Sequence, residues 1–387
     1  MTYQKPLHPS QKHAHNNRIF ELIVLWLRKN IVLSIAFVAA VVTSCIVPPD
    51  AQYVSYFDWK TLTCLFCVLA VVCALKNIKF FTILARKIVD CTGNLRVAIL
   101  ALVYITFIGS MLIANDMALL TFLPLGFFVL SSTGNEKYMA FVFIMQNIAA
   151  NLGGMLTPFG NPQNLFLYTK FQIPTNEFLQ IMFIPFIIAI VMITVCCLFL
   201  PKRSLTIREE CVYKLPPLRT LVYLLLFTLS IIIVFRAIPY QIGLLVIPPI
   251  LFLLDKKALK AVDYPLLLTF VCFFIFAGNM ARIPMISNLF SSLIEKNTLI
   301  VSILSCQVIS NVPSAILLSQ FTSDYPALLL GVNIGGTGTL IASLASLITF
   351  REYTTHNPGK TMKYILQFTG FNLLFLITLT IFASFLT

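Results

Sequence analysis

Asp116 lies inside an apolar stretch, in the run Ile113-Ala114-Asn115-Asp116-Met117-Ala118. An ionisable group placed there costs several kcal/mol to bury, so it reads first as a functional residue. Its carboxylate would hold a sodium ion, or take up and release a proton from a poorly solvated position. The competing reading is a helix cap, the carboxylate accepting from N–H groups two or three residues on. A second group of residues is neutral: Asn115, Thr157, Gly160, Asn161, Asn164, Ser310, Asn311, Ser314, Thr337 and Thr339, gathered where apolar runs are interrupted. Amide and hydroxyl oxygens at such interruptions coordinate small cations, with sodium expected near Asn115, Asp116, Asn161 and Asn311. The unpaired N–H groups at the start of a half-helix form the positive end of a dipole and bind an anion without help from Lys or Arg. That suits this chain, in which no Lys or Arg falls deep in an apolar segment.

Enzyme chemistry finds no comparable grouping. Most of the ten cysteines lie in or at the ends of apolar runs, where Cys packs as a small hydrophobe. Cys64 and Cys67 form a CxxC with no second pair and no His nearby. The histidines are confined to the N-terminal tail, with His13 and His15, and to the loop holding His356. There is no HExxH, and Asp116 has no acidic partner in an apolar run. An intramembrane enzyme, catalytic residues, a metal site and a cofactor are therefore not expected.

The elements that must position these residues are membrane helices. The chain is 59% hydrophobic and 11% charged over 387 residues, against about a quarter charged in soluble domains. At about 20 residues per crossing there is room for roughly ten helices. The expectation is an all-α polytopic membrane protein with about nine to eleven transmembrane helices and two re-entrant hairpins. No removable signal peptide is read in the first thirty residues. A polar tail (1–30) leads into a first membrane repeat, 31–200, with a hairpin at 96–131 and a broken helix at 138–170. A cytoplasmic linker (201–218) and one inverting helix (219–238) precede the second repeat, 239–387, with its hairpin at 298–321 and broken helix at 326–350. The runs Ile78 to Val89 and Ile283 to Ile294 are short, flanked by charge, and expected to lie in the interface.

Charge sets the orientation. With the N-terminus inside, 22 of the 27 Lys and Arg fall in cytoplasmic loops, and only Lys60, Lys170, Arg236, Arg282 and Lys296 remain outside with the C-terminus. The net charge of +13 is thereby explained by membrane topology, and no nucleic-acid partner is implied. The chain is expected in the plasma (inner) membrane.

One internal repeat stands out. NLGGMLTPFGNPQNLFLY, from Asn151 to Tyr168, aligns without gaps on NIGGTGTLIASLASLITF, from Asn333 to Phe350. Each follows an interrupted run, IAND at Ile113 to Asp116 and ISNV at Ile309 to Val312. The charge-derived topology makes the two repeats antiparallel, and breaks of this kind survive in hydrocarbon only where they line protein or a water cavity. Gly153, Gly154, Pro158, Gly160, Pro162, Gly335, Gly336 and Gly338 would open those breaks, though the same residues also serve helix packing. Inverted repeats with breaks in mid-membrane favour alternating access over a channel.

With these residues laid out, the chain resembles the ion transporter superfamily of arsenite permeases, citrate transporters and divalent anion/sodium symporters. ANDMALLTFLPL at Ala114 to Leu125 is similar to the hairpin of the arsenite permease branch, and NLGGMLTPFGNPQN to the Gly-rich break of the superfamily. The resemblance implies an elevator-type carrier, often a homodimer, whose hairpins and broken helices slide past a scaffold. It also implies one half-site at Asn115, Thr157, Asn161 and Asn164 and another at Ser310, Asn311, Thr337 and Thr339. The carboxylate symporters carry Ser-Asn-Thr at each hairpin tip, whereas here the triplets read Ala114-Asn115-Asp116 and Ser310-Asn311-Val312. The expected function is secondary transport of a small anion, a dicarboxylate, citrate or inorganic oxyanion, coupled to sodium or protons. Metalloid efflux and sodium/proton antiport are the alternatives.

Overall fold

The computed structural model describes residues 30–90, 92–203 and 215–386. The N-terminal tail with His13 and His15, and most of the central linker, lie outside the described residues. Among the described residues there is no strand, and eight helices are long and apolar enough to cross a membrane. The protein is an all-α, multi-pass membrane protein.

The first half runs through α1 (Ile31–Ile46), α2 (Trp59–Asn77), α3 (Phe80–Asp90), α4 (Leu95–Ile113), α5 (Asn115–Ser132), α6 (Met139–Gly153), α7 (Pro162–Lys170) and α8 (Thr175–Leu198). After α9 (Pro217–Val234), the second half repeats that order. It comprises α10 (Tyr240–Leu254), α11 (Tyr264–Arg282), α12 (Pro284–Lys296), α13 (Thr298–Ile309), α14 (Asn311–Leu318), α15 (Tyr325–Ile334), α16 (Leu344–His356) and α17 (Thr361–Ala383). Local signals recur with the elements. Asp58 and Asp263 cap the matching helices α2 and α11, accepting from Thr61 N at 2.9 Å and Leu266 N at 3.0 Å. Asn94 and Asn297 likewise start the first arm of each hairpin.

Packing is reciprocal between halves: α1 lies on α11 and α10 on α2, while α5 and α6 meet α16, and α14 and α15 meet α7. Each half thus completes the other, with matching elements in reciprocal contact. The interface helix α12 turns Met285, Leu289 and Leu293 outward at four-residue spacing and buries Ile294, a face suited to lipid.

Both hairpin tips meet the break of an interrupted helix. The arms α13 and α14, of 12 and 8 residues, are too short for a hydrocarbon core of about 30 Å at 1.5 Å per residue. The arms α4 and α5 are each long enough to cross, yet their tip stops against the break of the first broken helix, where Asn115 N donates to Gly160 O at 3.1 Å. The second tip repeats that bond, with Asn311 N donating to Ala342 O at 2.9 Å.

Candidate functional site

Eight helix ends meet at the two breaks. The N-termini of α5, α7, α14 and α16 arrive beside the C-termini of α4, α6, α13 and α15. N–H groups carry the positive dipole ends and carbonyls the negative ones, so one region offers groups for an anion and for a small cation. At each tip the first amide is spoken for locally: Asn115 Oδ1 accepts from Asp116 N and Asn311 Oδ1 from Val312 N, both at 2.9 Å.

Both tips carry the same backbone strain. Ala114 sits at φ 65°, ψ 148° and Ser310 at φ 74°, ψ 159°, a region almost reserved for glycine that costs on the order of 1–3 kcal/mol elsewhere. Two non-glycine residues held this way at equivalent positions mark the tips as places whose geometry the surroundings enforce.

A belt of buried amides ties the halves together. Asn115 Nδ2 donates to Asn151 Oδ1 at 3.2 Å, and Asn151 Nδ2 donates to Ser343 Oγ at 3.1 Å. In the mate arrangement Asn161 Nδ2 donates to Asn333 Oδ1 at 3.2 Å, and Asn333 Nδ2 to Asn164 Oδ1 at 2.6 Å. By the repeat register Asn151 matches Asn333 and Asn161 matches Ser343, so the two cross-links are symmetry copies. Asn161, at 1% exposure, keeps Oδ1 without a partner. The glycines allow the close approach: a Cβ on Gly153 would strike the Phe107 carbonyl, and one on Gly335 would lie 2.8 Å from Cys306 Sγ.

The hydroxyls of the other candidates are engaged outside this belt. Thr157 Oγ1 donates to Met111 O at 2.7 Å, Thr337 Oγ1 to Ile334 O at 2.6 Å, and Thr339 Oγ1 to Gln307 O at 3.3 Å. Ser314 pairs with Ser305 inside the second hairpin at 2.8 Å, and Gly160 supplies the carbonyl that receives the first tip. Asn151, Asn333 and Ser343 were absent from the candidate set although the repeat alignment contained them; being the matched polar positions nearest the breaks was the signal.

Asp116 faces a cavity of about 50 Å³ lined by Ala114, Met117, Phe159, Pro162, Leu65, Val68 and Asp263, among others. Its Oδ1 is enclosed without a hydrogen-bond partner, and its own N–H donates to Asn115 Oδ1. Sequence reading gave Asp116 no acidic partner, but the fold brings Asp263, at the start of α11, to the same cavity from far along the chain.

A multi-pass bundle with two hairpins and two interrupted helices turned to one interior centre defines a membrane transporter. The chain belongs to the citrate transporter family, whose model matches residues 22–325. It is 36% identical over 297 residues to an uncharacterized transporter of Methanocaldococcus jannaschii, covering 76% of this chain and 81% of that protein. Over 302 residues it is 28% identical to the inner membrane protein YbiR of Escherichia coli, covering 76% of this chain and 80% of that protein.

Proposed function

We propose that this protein is a secondary active carrier of a small carboxylate or oxyanion, citrate first among them, coupled to sodium or protons. The observation that carries the reading is the convergence of four helix N-termini and four C-termini on one buried amide belt, built twice in mirrored order. Dipole ends offer the anion its N–H groups, and Asn carbonyls with the Asp116 carboxylate offer a cation its oxygens. Hairpins and broken helices form the moving body, α2, α10 and α11 the fixed wall, and the cavity between them the route, in an elevator-type alternation within a homodimer. A volume of about 50 Å³ accommodates an ion or a water or two, so citrate requires the two bodies to part. The charge distribution supports an N-terminus inside and a C-terminus outside.

One observation favours a second reading. Asp116 and Asp263 line a mainly apolar cavity together, and two carboxylates without a countercharge suit a proton or cation better than an anion. Sodium/proton antiport is that reading, and metalloid efflux fits the Ala114-Asn115-Asp116 tip. The deciding experiment is a thermal-shift screen of purified protein with citrate, succinate, malonate, sulfate, phosphate and arsenite, with and without sodium, followed by uptake into liposomes. Binding to the folded state raises the melting temperature by mass action. A shift from citrate or another anion supports the carrier; one from sodium or pH alone replaces it with the antiporter.

A further inference from the structure

Three of the five cations that topology leaves on the outer face come together at one end of α2. Lys60, in its first turn, lies within Coulombic reach of Arg236 and Asp58, and Lys170 within reach of Asp58. Arg236, at the end of α9, stacks its guanidinium 4.0 Å over the Tyr168 ring and donates to the Tyr168 carbonyl. Among the described residues none of the three makes an ion pair, and both oxygens of Asp58 are engaged by Thr61. Helix ends explain only part of this. Lys170 and Arg236 sit at the carbonyl end of α7, which favours cations, but Lys60 sits at the amide end of α2, which opposes them.

The opposite end of the same helix carries both signs, Asp255 and Asp263 beside Lys76, Lys256, Lys257 and Lys260. Asp263 caps α11 next to the last turns of α2, where Cys73 reaches Ala261 O at 3.3 Å and Asn77 reaches Asp255 at 3.0 Å. Asp58 and Asp263 are equivalent caps, and Lys170 matches Glu352 in the repeat register. The two ends are therefore alike in backbone, with Lys170 exchanged for Glu352 between the repeats. Phe159, which lines the central cavity, packs edge to face on Phe235 at 5.9 Å, one residue before Arg236.

We infer that Lys60, Lys170 and Arg236 form an outer capture site for a multivalent carboxylate anion, parted from the central cavity by the Phe159–Phe235 pair. This rests on the anion-carrier reading for the nature of its guest. Three half-buried cations around the single carboxylate of Asp58 leave a net positive mouth, which concentrates an anion and raises its on-rate, an effect that salt weakens.

Trp59 precedes Lys60, is 57% exposed, and becomes the only tryptophan in a Trp26→Phe background. In that background at low salt, iodide is expected to quench Trp59 roughly twofold or more better than caesium. Millimolar citrate, at fixed ionic strength, lowers the iodide quenching. Lys60→Gln/Lys170→Gln abolishes both effects with acrylamide quenching unchanged, while Lys60→Arg/Lys170→Arg keeps them; Arg236 is left intact because it also holds α7. Equal quenching by iodide and caesium, or a gap that survives the glutamines, overturns the site. Citrate uptake into liposomes separates the two ideas: uptake without the quenching gap removes only the capture site, and citrate protection without uptake supports the site while removing citrate as cargo.

Discussion

Asn333→Leu tests whether the amide belt holds the two repeats together. The side chain accepts from Asn161 at 3.2 Å and donates to Asn164 Oδ1 at 2.6 Å and Leu329 O at 2.8 Å. The bonds to Asn161 and Asn164 cross between helices, where such bonds average about 0.6 kcal/mol each, so the two set a floor near 1 kcal/mol. Leucine also strips the side-chain partner from Asn164 Oδ1, and an orphaned buried acceptor adds about 1–3 kcal/mol. The expected loss is about 2–4 kcal/mol, read by SDS titration of the protein in micelles. Asn372→Leu is the control. Asn372 is equally buried, but its amide donates only to Phe368 O one turn back and its Oδ1 has no partner. An apolar residue there removes a polar group that was already half unsatisfied, and the cost should be about 1 kcal/mol or less. Equal losses in the two variants would refute the belt as a specific cross-link and leave only generic packing.

Gly153→Ala drives a methyl into the Phe107 carbonyl and to 2.6 Å from Ser110 Oγ; it should cost about 1–3 kcal/mol in the same titration, while Gly359→Ala, with open space around it, should be neutral. Ala114→Gly relieves the positive φ at the first tip and should raise the melting temperature, by a gain on the order of 1 kcal/mol; a lower one would mean the tip is unstrained. Asp116→Asn should make uptake independent of sodium and of pH, and wild-type dependence on both would exclude Asp116 from coupling. The Arg282 guanidinium, 2.6 Å from Asp50, holds that carboxyl below the usual carboxylate range. Its contribution is thus complete above the ordinary value near 4 and fades as pH falls through the lowered one. The small melting difference between wild type and Asp50→Asn should stay constant from neutral pH to about 5 and vanish in stronger acid; a difference that grows on acidification would contradict the pairing.

Helices, hairpins and breaks were legible in the sequence because each is a local matter of apolar length and interruption. The runs around Asn115 and Asn311, and the repeat from Asn151 and Asn333, appear in the structure as two tips pressed on two breaks. Side-chain direction was not legible. Thr157 and Thr339 occupy matched places in the repeat, yet their hydroxyls serve Met111 O and Gln307 O, and no spacing rule tells which way a loop threonine turns. Asp263 was hidden for a different reason. It reads as an ordinary helix cap before Tyr264, and only the packing of α11 against α2 carries it to the Asp116 cavity. The strain at Ala114 and Ser310 was equally invisible, since neither is the glycine that such a backbone normally announces.

Where the two repeats agree and where they part divides holding from choosing. The bonds Asn115 N to Gly160 O and Asn311 N to Ala342 O occupy matched places in the two repeats, so under the proposed elevator reading a moving body built from them would meet equivalent walls at either end of its travel. On that reading nearly equal energies of the end states would follow without tuning, which a carrier needs because a ligand shifts such an equilibrium only by its differential affinity. Residues that break the symmetry cannot serve that purpose. Asp116 stands where the second tip has Val312, Asn161 where the second break has Ser343, and Lys170 where the second half has Glu352. Under the proposed reading these three substitutions of one repeat against the other decide which ion couples, how the centre is ligated, and from which side the anion is gathered. Installing Asp at Val312 should therefore alter ion dependence more than stability, whereas disturbing the matched pair Asn151 and Asn333 should do the reverse.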